Sequence, residues 1–135
     1  MRIYYSVGSD PMIAGNVVEL NGIASALEAF LASSSAEIWM PASAVGSSGL
    51  YKALLPGFRI SRGSGPISVT LEPSVGLSVS GSTENLAVWC SHFRFAPESQ
   101  DGDHHHTNHV HRSGYLQAGA LGVIIEVFEG DYSAG

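Results

Sequence analysis

Gly76-Leu77-Ser78-Val79-Ser80-Gly81-Ser82-Thr83-Glu84-Asn85-Leu86-Ala87-Val88-Trp89 changes its periodicity halfway along, and that change decides how the chain is read. Leu77 and Val79 alternate with serines, the two-residue repeat of a strand with one buried face. After Gly81 the apolar residues Leu86, Trp89, Cys90 and Phe93 fall at i, i+3, i+4 and i+7, which draws one stripe along a helix. Ser82 has the hydroxyl of an N-cap. Glu84 places a negative charge in the first turn, where the helix dipole favours it.

A second stretch, Val17 to Phe30, lies on this one without a gap at an offset of 59 residues. Val18 then meets Leu77, Leu20 meets Val79, Gly22 meets Gly81, Leu27 meets Leu86 and Phe30 meets Trp89. The alignment predicts a strand over 17–20, a turn at Gly22, and a helix carrying Ile23, Leu27, Phe30 and Leu31. Each unit closes with an alternating strand that ends in an acid, Ile67 to Glu72 in the first and Val123 to Glu129 in the second. The expectation is two tandem strand-helix-loop-strand units, about 16–72 and 76–129, in a single domain spanning 1–135. Further strands are expected at Met1–Val7, Glu37–Met40 and Phe58–Ser61, with a short helix over Leu50–Leu55. A hairpin through Pro73-Ser74-Val75-Gly76 would join Ile67–Glu72 to Leu77–Ser80. The fold class is α+β, a largely antiparallel sheet with two amphipathic helices on one face.

At 135 residues with 44% apolar content the chain can bury one core. Charge is scarce: 13% of residues are charged, about half the usual ~25%. Twelve acids against six bases give a net charge of −6, which excludes a nucleic-acid binder working by phosphate neutralisation. Lys52, Arg59 and Arg62 form the one basic neighbourhood, and Arg62-Gly63-Ser64-Gly65 reads as a turn rather than a phosphate loop. Serine supplies much of the polarity, with 20 residues. The most apolar stretch, Ala118 to Phe128, is broken by Gly119, Gly122 and Glu126, so no membrane span is expected. Met1 to Val7 reads as a strand rather than a secretory signal, and the lone Cys90 has no disulfide partner in the chain. A cytoplasmic location follows.

Five of the six histidines lie in Asp101-Gly102-Asp103-His104-His105-His106-Thr107-Asn108-His109-Val110-His111-Arg112. Two readings fit. As an exposed loop, Asp101, Asp103, His104, His105, His106, His109, His111 and Arg112 form a partner-binding surface, with Trp39 and Tyr51 as aromatic anchors. Alternatively, an extended 109–111 would turn His109 and His111 to one face, and with Asp103 they would suit zinc or another divalent transition metal. A cupin-type barrel lacks its Glu and its later His here. Cys90 sits on the apolar stripe as a buried hydrophobe, and no catalytic constellation is present.

Residues 76–129 resemble the immunity protein 32 family of bacterial polymorphic toxin systems. The resemblance is carried by Leu77 to Leu86, by His109-Val110-His111, and by Gly122-Val123-Ile124-Ile125-Glu126-Val127. Arg112-Ser113 departs from the family pattern, and the first unit is additional to it. The resemblance implies a non-enzymatic protein that binds and neutralises a cognate toxin. An acidic balance suits a basic partner, because opposite charge speeds encounter. The alternatives from other classes are a small metal-binding protein or metal-dependent enzyme, and a self-associating domain that forms a homodimer through strand edges.

Overall fold

A computed structural model describes residues 1–45, 49, 51, 53–72 and 74–129. They form two helices and nine strands in two mostly antiparallel sheets, an α+β fold. In chain order the elements are β1 (Arg2–Tyr5), β2 (Met12–Gly15), α1 (Val17–Ala32), β3 (Glu37–Pro41), β4 (Ala53–Leu55), β5 (Gly57–Arg62), β6 (Ser68–Glu72), β7 (Gly76–Gly81), α2 (Thr83–Ser91), β8 (His104–His106) and β9 (Ile124–Val127). Among the described residues no helix is long and apolar enough to cross a membrane.

The first sheet runs β4-β1-β2-β9-β8 and the second β3-β5-β7-β6. In each, one parallel pair sits inside antiparallel neighbours: β2 beside β9, and β5 beside β7. The inner faces of both sheets share one core with the helices, through Ile3, Ile13 and Ile125 from one sheet and Ile60, Val79 and Val69 from the other. The expected single sheet is therefore split in two. α1 packs on α2, β2 and β3, and α2 on β7.

The two sheets repeat one pairing plan. Ile3 faces Ile13 as Val69 faces Val79, and Ile13 runs beside Ile125 as Val79 runs beside Ile60. Gly15-Asn16 ends β2 and caps α1, as Gly81-Ser82 ends β7 and caps α2. The matching shift is 66 residues, from Ile3 to Val69 and from Gly15 to Gly81, instead of 59. The repeated halves thus begin at β1 and β6, not at 16 and 76. The first half supplies β1, β2, α1, β3, β5 and the additional edge strand β4; the second supplies β6, β7, α2, β8 and β9. Each half's leading hairpin is completed by the closing strands of the other half.

The register fails at 59 because Val17–Leu20 is helical, not a strand. Asn16 Oδ1 accepts from the Glu19 amide at 2.8 Å, and Glu19 Oε1 accepts from the Asn16 amide at 3.1 Å. This capping box starts the helix at Val17, five residues before the turn expected at Gly22. Val18 is 81% exposed, so the alternation of Val18 and Leu20 was one buried and one exposed position on a helix. α1 then passes through Gly22 unbroken. In the second half the expectation holds: Ser82 Oγ accepts from the Asn85 amide at 3.2 Å, and α2 buries Leu86, Trp89 and Cys90.

The strands expected at Met1–Val7, Glu37–Met40, Phe58–Ser61 and Val123–Glu129 appear as β1, β3, β5 and β9, and the hairpin as β6 and β7. Of the expected helix over Leu50–Leu55, Ala53–Leu55 is strand β4. Leu50, Lys52 and Pro73 lie outside the described residues. Arg59 and Arg62 do not form one basic neighbourhood. Arg59 stands on the outer face of β5 with Glu72, while Arg62 reaches the C-terminal end of α1 and donates to the carbonyls of Phe30, Leu31 and Ser33 at 2.8–3.1 Å.

Candidate binding face along the histidine strand

The histidine segment opens with a turn and becomes a strand. Asp103 Oδ2 accepts from the Gln100 amide at 2.9 Å, and Gly102 takes a φ of +97°. β8 follows, with His104 opposite Glu126, His105 opposite Ile125 and His106 opposite Ile124. Alternation then sends His105 to the core side and His104 and His106 to the outer side. This corrects the expectation of a loop throughout 101–112; an extended 109–111 is the condition of the metal reading. The strand lies at 104–106, and residues 109–112 have no regular structure. It ends at buried Thr107, whose Oγ1 accepts from the Val123 amide at 3.0 Å and whose carbonyl accepts from the Tyr115 hydroxyl at 2.9 Å.

His105 is a structural imidazole. Its Nδ1 donates to the His92 carbonyl at 2.7 Å, and its ring stacks on Phe95 with centroids 4.2 Å apart. Phe95 is itself fixed by Asn21 of α1, whose side chain both donates to the Phe95 carbonyl and accepts from its amide. His92 donates in turn to the Trp89 carbonyl at 3.0 Å. Burial, aided by the neighbouring His105, holds the His92 imidazole below the usual histidine range. These contacts tie the end of α2 to β8.

The outer side is different. His104 Nδ1 donates to the Gly102 carbonyl at 2.9 Å, which leaves its Nε2 as the outward nitrogen. The His104 and His106 rings stand 4.9 Å apart at 79°, and His109 folds back to stack on His106 at 4.3 Å and 17°. Desolvation, then the charges of His109 and His104, push His106 below the usual histidine range, against an opposing pull from Asp10. Glu126 is pushed above the usual carboxylate range by burial, with His104 lowering it and Asp101 raising it. One face therefore gathers three imidazoles with Glu126, Asp10 and Asp101 in electrostatic reach.

The remaining expected residues fall around this face. Asp101 and Asp103 are exposed on the turn, His111 is exposed, and Arg112 lies 3.5 Å from Glu84 in the first turn of α2. Asp103, His109 and His111 do not converge as a metal site; among the described residues no group of three His, Cys, Asp or Glu is placed to hold an ion. Of the two expected anchors, Tyr51 packs on Tyr4 at 5.4 Å on the same sheet and feels the charge of Glu126. Trp39 belongs to the other sheet.

Sequence reading missed Glu126 and Asp10. The alternation of Ile124 and Glu126 against Ile125 and Val127 was the signal available for Glu126. At the start of β8 an open cleft of about 500 Å³ is lined by Arg94, Phe95, Ser99, Asp103, His104 and His105. Cys90 is buried, and desolvation pushes its thiol up to about 12, which removes it as a nucleophile at neutral pH. No family model matches the chain, and no curated protein or solved structure matches it.

Proposed function

We propose that the chain is a non-catalytic binding protein that engages a basic protein partner through the outer face of β8 and β9, and that this partner is a toxin it neutralises. The toxin assignment rests on the resemblance of residues 76–129 to immunity protein 32. The observation that carries the binding reading is the pair His104 and His106 on the edge strand β8 with His109 stacked on His106, flanked by Glu126, Asp10 and Asp101. Such a face offers imidazole nitrogens as hydrogen-bond partners and carboxylates as charge partners, and it requires no bond-making chemistry. The buried Cys90 thiol supports the same reading, since the one cysteine is withheld from covalent catalysis.

The test is protection of cells that express the toxin-like product of a neighbouring gene, together with direct titration of the two proteins. A His104→Ala, His106→Ala, His109→Ala variant should bind at least tenfold more weakly while keeping the fold. Absence of protection, or unchanged binding by the triple variant, removes this reading.

A further inference from the structure

The two sheets share a pairing plan but differ on the faces turned away from the core. On the first sheet Tyr4, Met12 and Ala14 are buried on that side, packed with Tyr51, Leu54, Ile124 and Phe128. The matched face of the second sheet carries two polar rows. One is Glu37, Ser61, Ser80 and Ser68; the next is Trp39, Arg59, Ser78 and Thr70. Trp39 is 44% exposed, Thr70 is exposed, and the serines are half-buried.

Trp39 is laid on the sheet by a missing side chain. A Cβ at Gly57 would stand 2.6 Å from the indole carbons Cζ2 and Cη2, so only glycine lets the ring rest there. Directly opposite Trp39 in register, Arg59 donates from Nη2 to both Glu72 oxygens at 3.0 and 3.1 Å and to Ser78 Oγ at 3.3 Å. Its buried Nε has no protein partner. The guanidinium is thus held still beside the indole, and its charge is cancelled by Glu72.

We propose that this outer face, with Trp39 as a stacking platform and Arg59, Ser78 and Thr70 as the polar row beside it, is a binding surface for a neutral oligosaccharide. A sugar ring presents one apolar C–H face and a rim of hydroxyls. The indole suits the first, because an aromatic face attracts polarised C–H groups. The fixed guanidinium as donor, the Glu72 carboxylate as acceptor and the row of side-chain hydroxyls as both suit the second. The compensated charge argues against a strongly ionic ligand, which needs an uncompensated field. From Trp39 to Thr70 the row crosses three strand spacings, about 14 Å, which is longer than a single sugar ring. The surface is on the other sheet from β8 and stands or falls separately from the toxin reading.

The experiment titrates the full chain with maltohexaose, cellohexaose and chitohexaose and with a neutral glycan array, read by tryptophan fluorescence and calorimetry. Trp89 is fully buried, so Trp39 is the responsive indole. Saturable binding is expected from at least one glycan, weakened at least tenfold by Trp39→Ala and severalfold by Thr70→Ala, with thermal midpoints retained. Silence across the array overturns the proposal, as does binding that both variants leave unchanged. A micromolar dimer in sedimentation that Trp39→Ala dissolves also overturns it, and assigns the face to a second copy of the chain.

Discussion

Replacing Arg62 with Ala removes one side chain that serves five acceptors. Its Nη2 donates to the Phe30, Leu31 and Ser33 carbonyls at 2.8–3.1 Å, its Nε to the Ser35 carbonyl at 2.8 Å, and its Nη1 to Thr83 Oγ1 at 2.8 Å. Its guanidinium also lies 4.9 Å from the Phe30 ring centroid. α1 has no basic residue in its last turn, so Arg62 is the positive charge that meets the carbonyl end of the helix dipole. A hydrogen bond to a charged group contributes about 1.5–3 kcal/mol, and the dipole and ring contacts each contribute about 0.5–1 kcal/mol. These terms share one side chain and do not add, and water reaches the exposed carbonyls after truncation. The net loss is therefore about 3 kcal/mol, which at this chain length lowers the melting temperature by roughly 9–15 °C. Arg62→Lys keeps the charge but not the fork, and should recover less than half of the loss. Urea denaturation measures both, with the slope checked for constancy. A change below about 0.5 kcal/mol in Arg62→Ala would refute the idea that this guanidinium holds the end of α1.

Gly76→Ala should give little folded protein on expression, because Gly76 has a φ of +108° and a Cβ there would collide with the Gly57 carbonyl. Asn85→Ala should cost about 1–3 kcal/mol in denaturant titration, because the buried Asn85 amide donates to the Gly65 and Gly114 carbonyls at 2.9 and 3.1 Å. The lowered His92 and His106 favour their neutral forms in the folded state. Stability they contribute is complete above the unfolded value of 6.5 and falls as pH drops through it toward their folded values. A melting temperature that is flat or rising from pH 7 to pH 5 in wild type, with no difference in His92→Gln, would contradict this. Cys90 should resist iodoacetamide in native protein at pH 8 and react once the protein is unfolded; labelling at equal rates would place the thiol outside the core.

What could be read in the sequence was local. Ser82, Glu84 and the stripe through Leu86, Trp89 and Cys90 define α2 without any knowledge of its surroundings, because cap and periodicity act within a few residues. The same rules misread Val17–Leu20. Two apolar residues in alternation cannot separate a strand from the first turn of a helix, and the deciding pair joins Glu19 within that segment to Asn16 just before it. β2 was missed because Met12, Ile13, Ala14 and Gly15 are all buried, so the strand shows no alternation. Lengthwise pairing was out of reach altogether: nothing near Ile13 names Ile125 as its neighbour. The histidine surface was legible as composition, but which imidazoles face outward depends on the register of β8 against β9. The polar face holding Trp39 was invisible for the same reason, since its two rows combine four separate strands.

The exchange of strands between the halves also sets when the protein can fold. Met12 pairs with Ile124, 112 positions further along the chain. During synthesis the apolar strand Met12–Gly15 therefore emerges early and waits for a partner that the ribosome makes near the close of the described chain. Contacts of such sequence separation slow folding and prolong the exposure of unpaired edges. Until β9 arrives, β2 has β1 on one side and an open edge on the other, and the short β4 beside β1 does not cover that edge. Nascent chains halted before residue 124 should remain protease-sensitive in the first sheet, where β2 and β8 both lack β9, while the second sheet already has its four strands within residues 37–81.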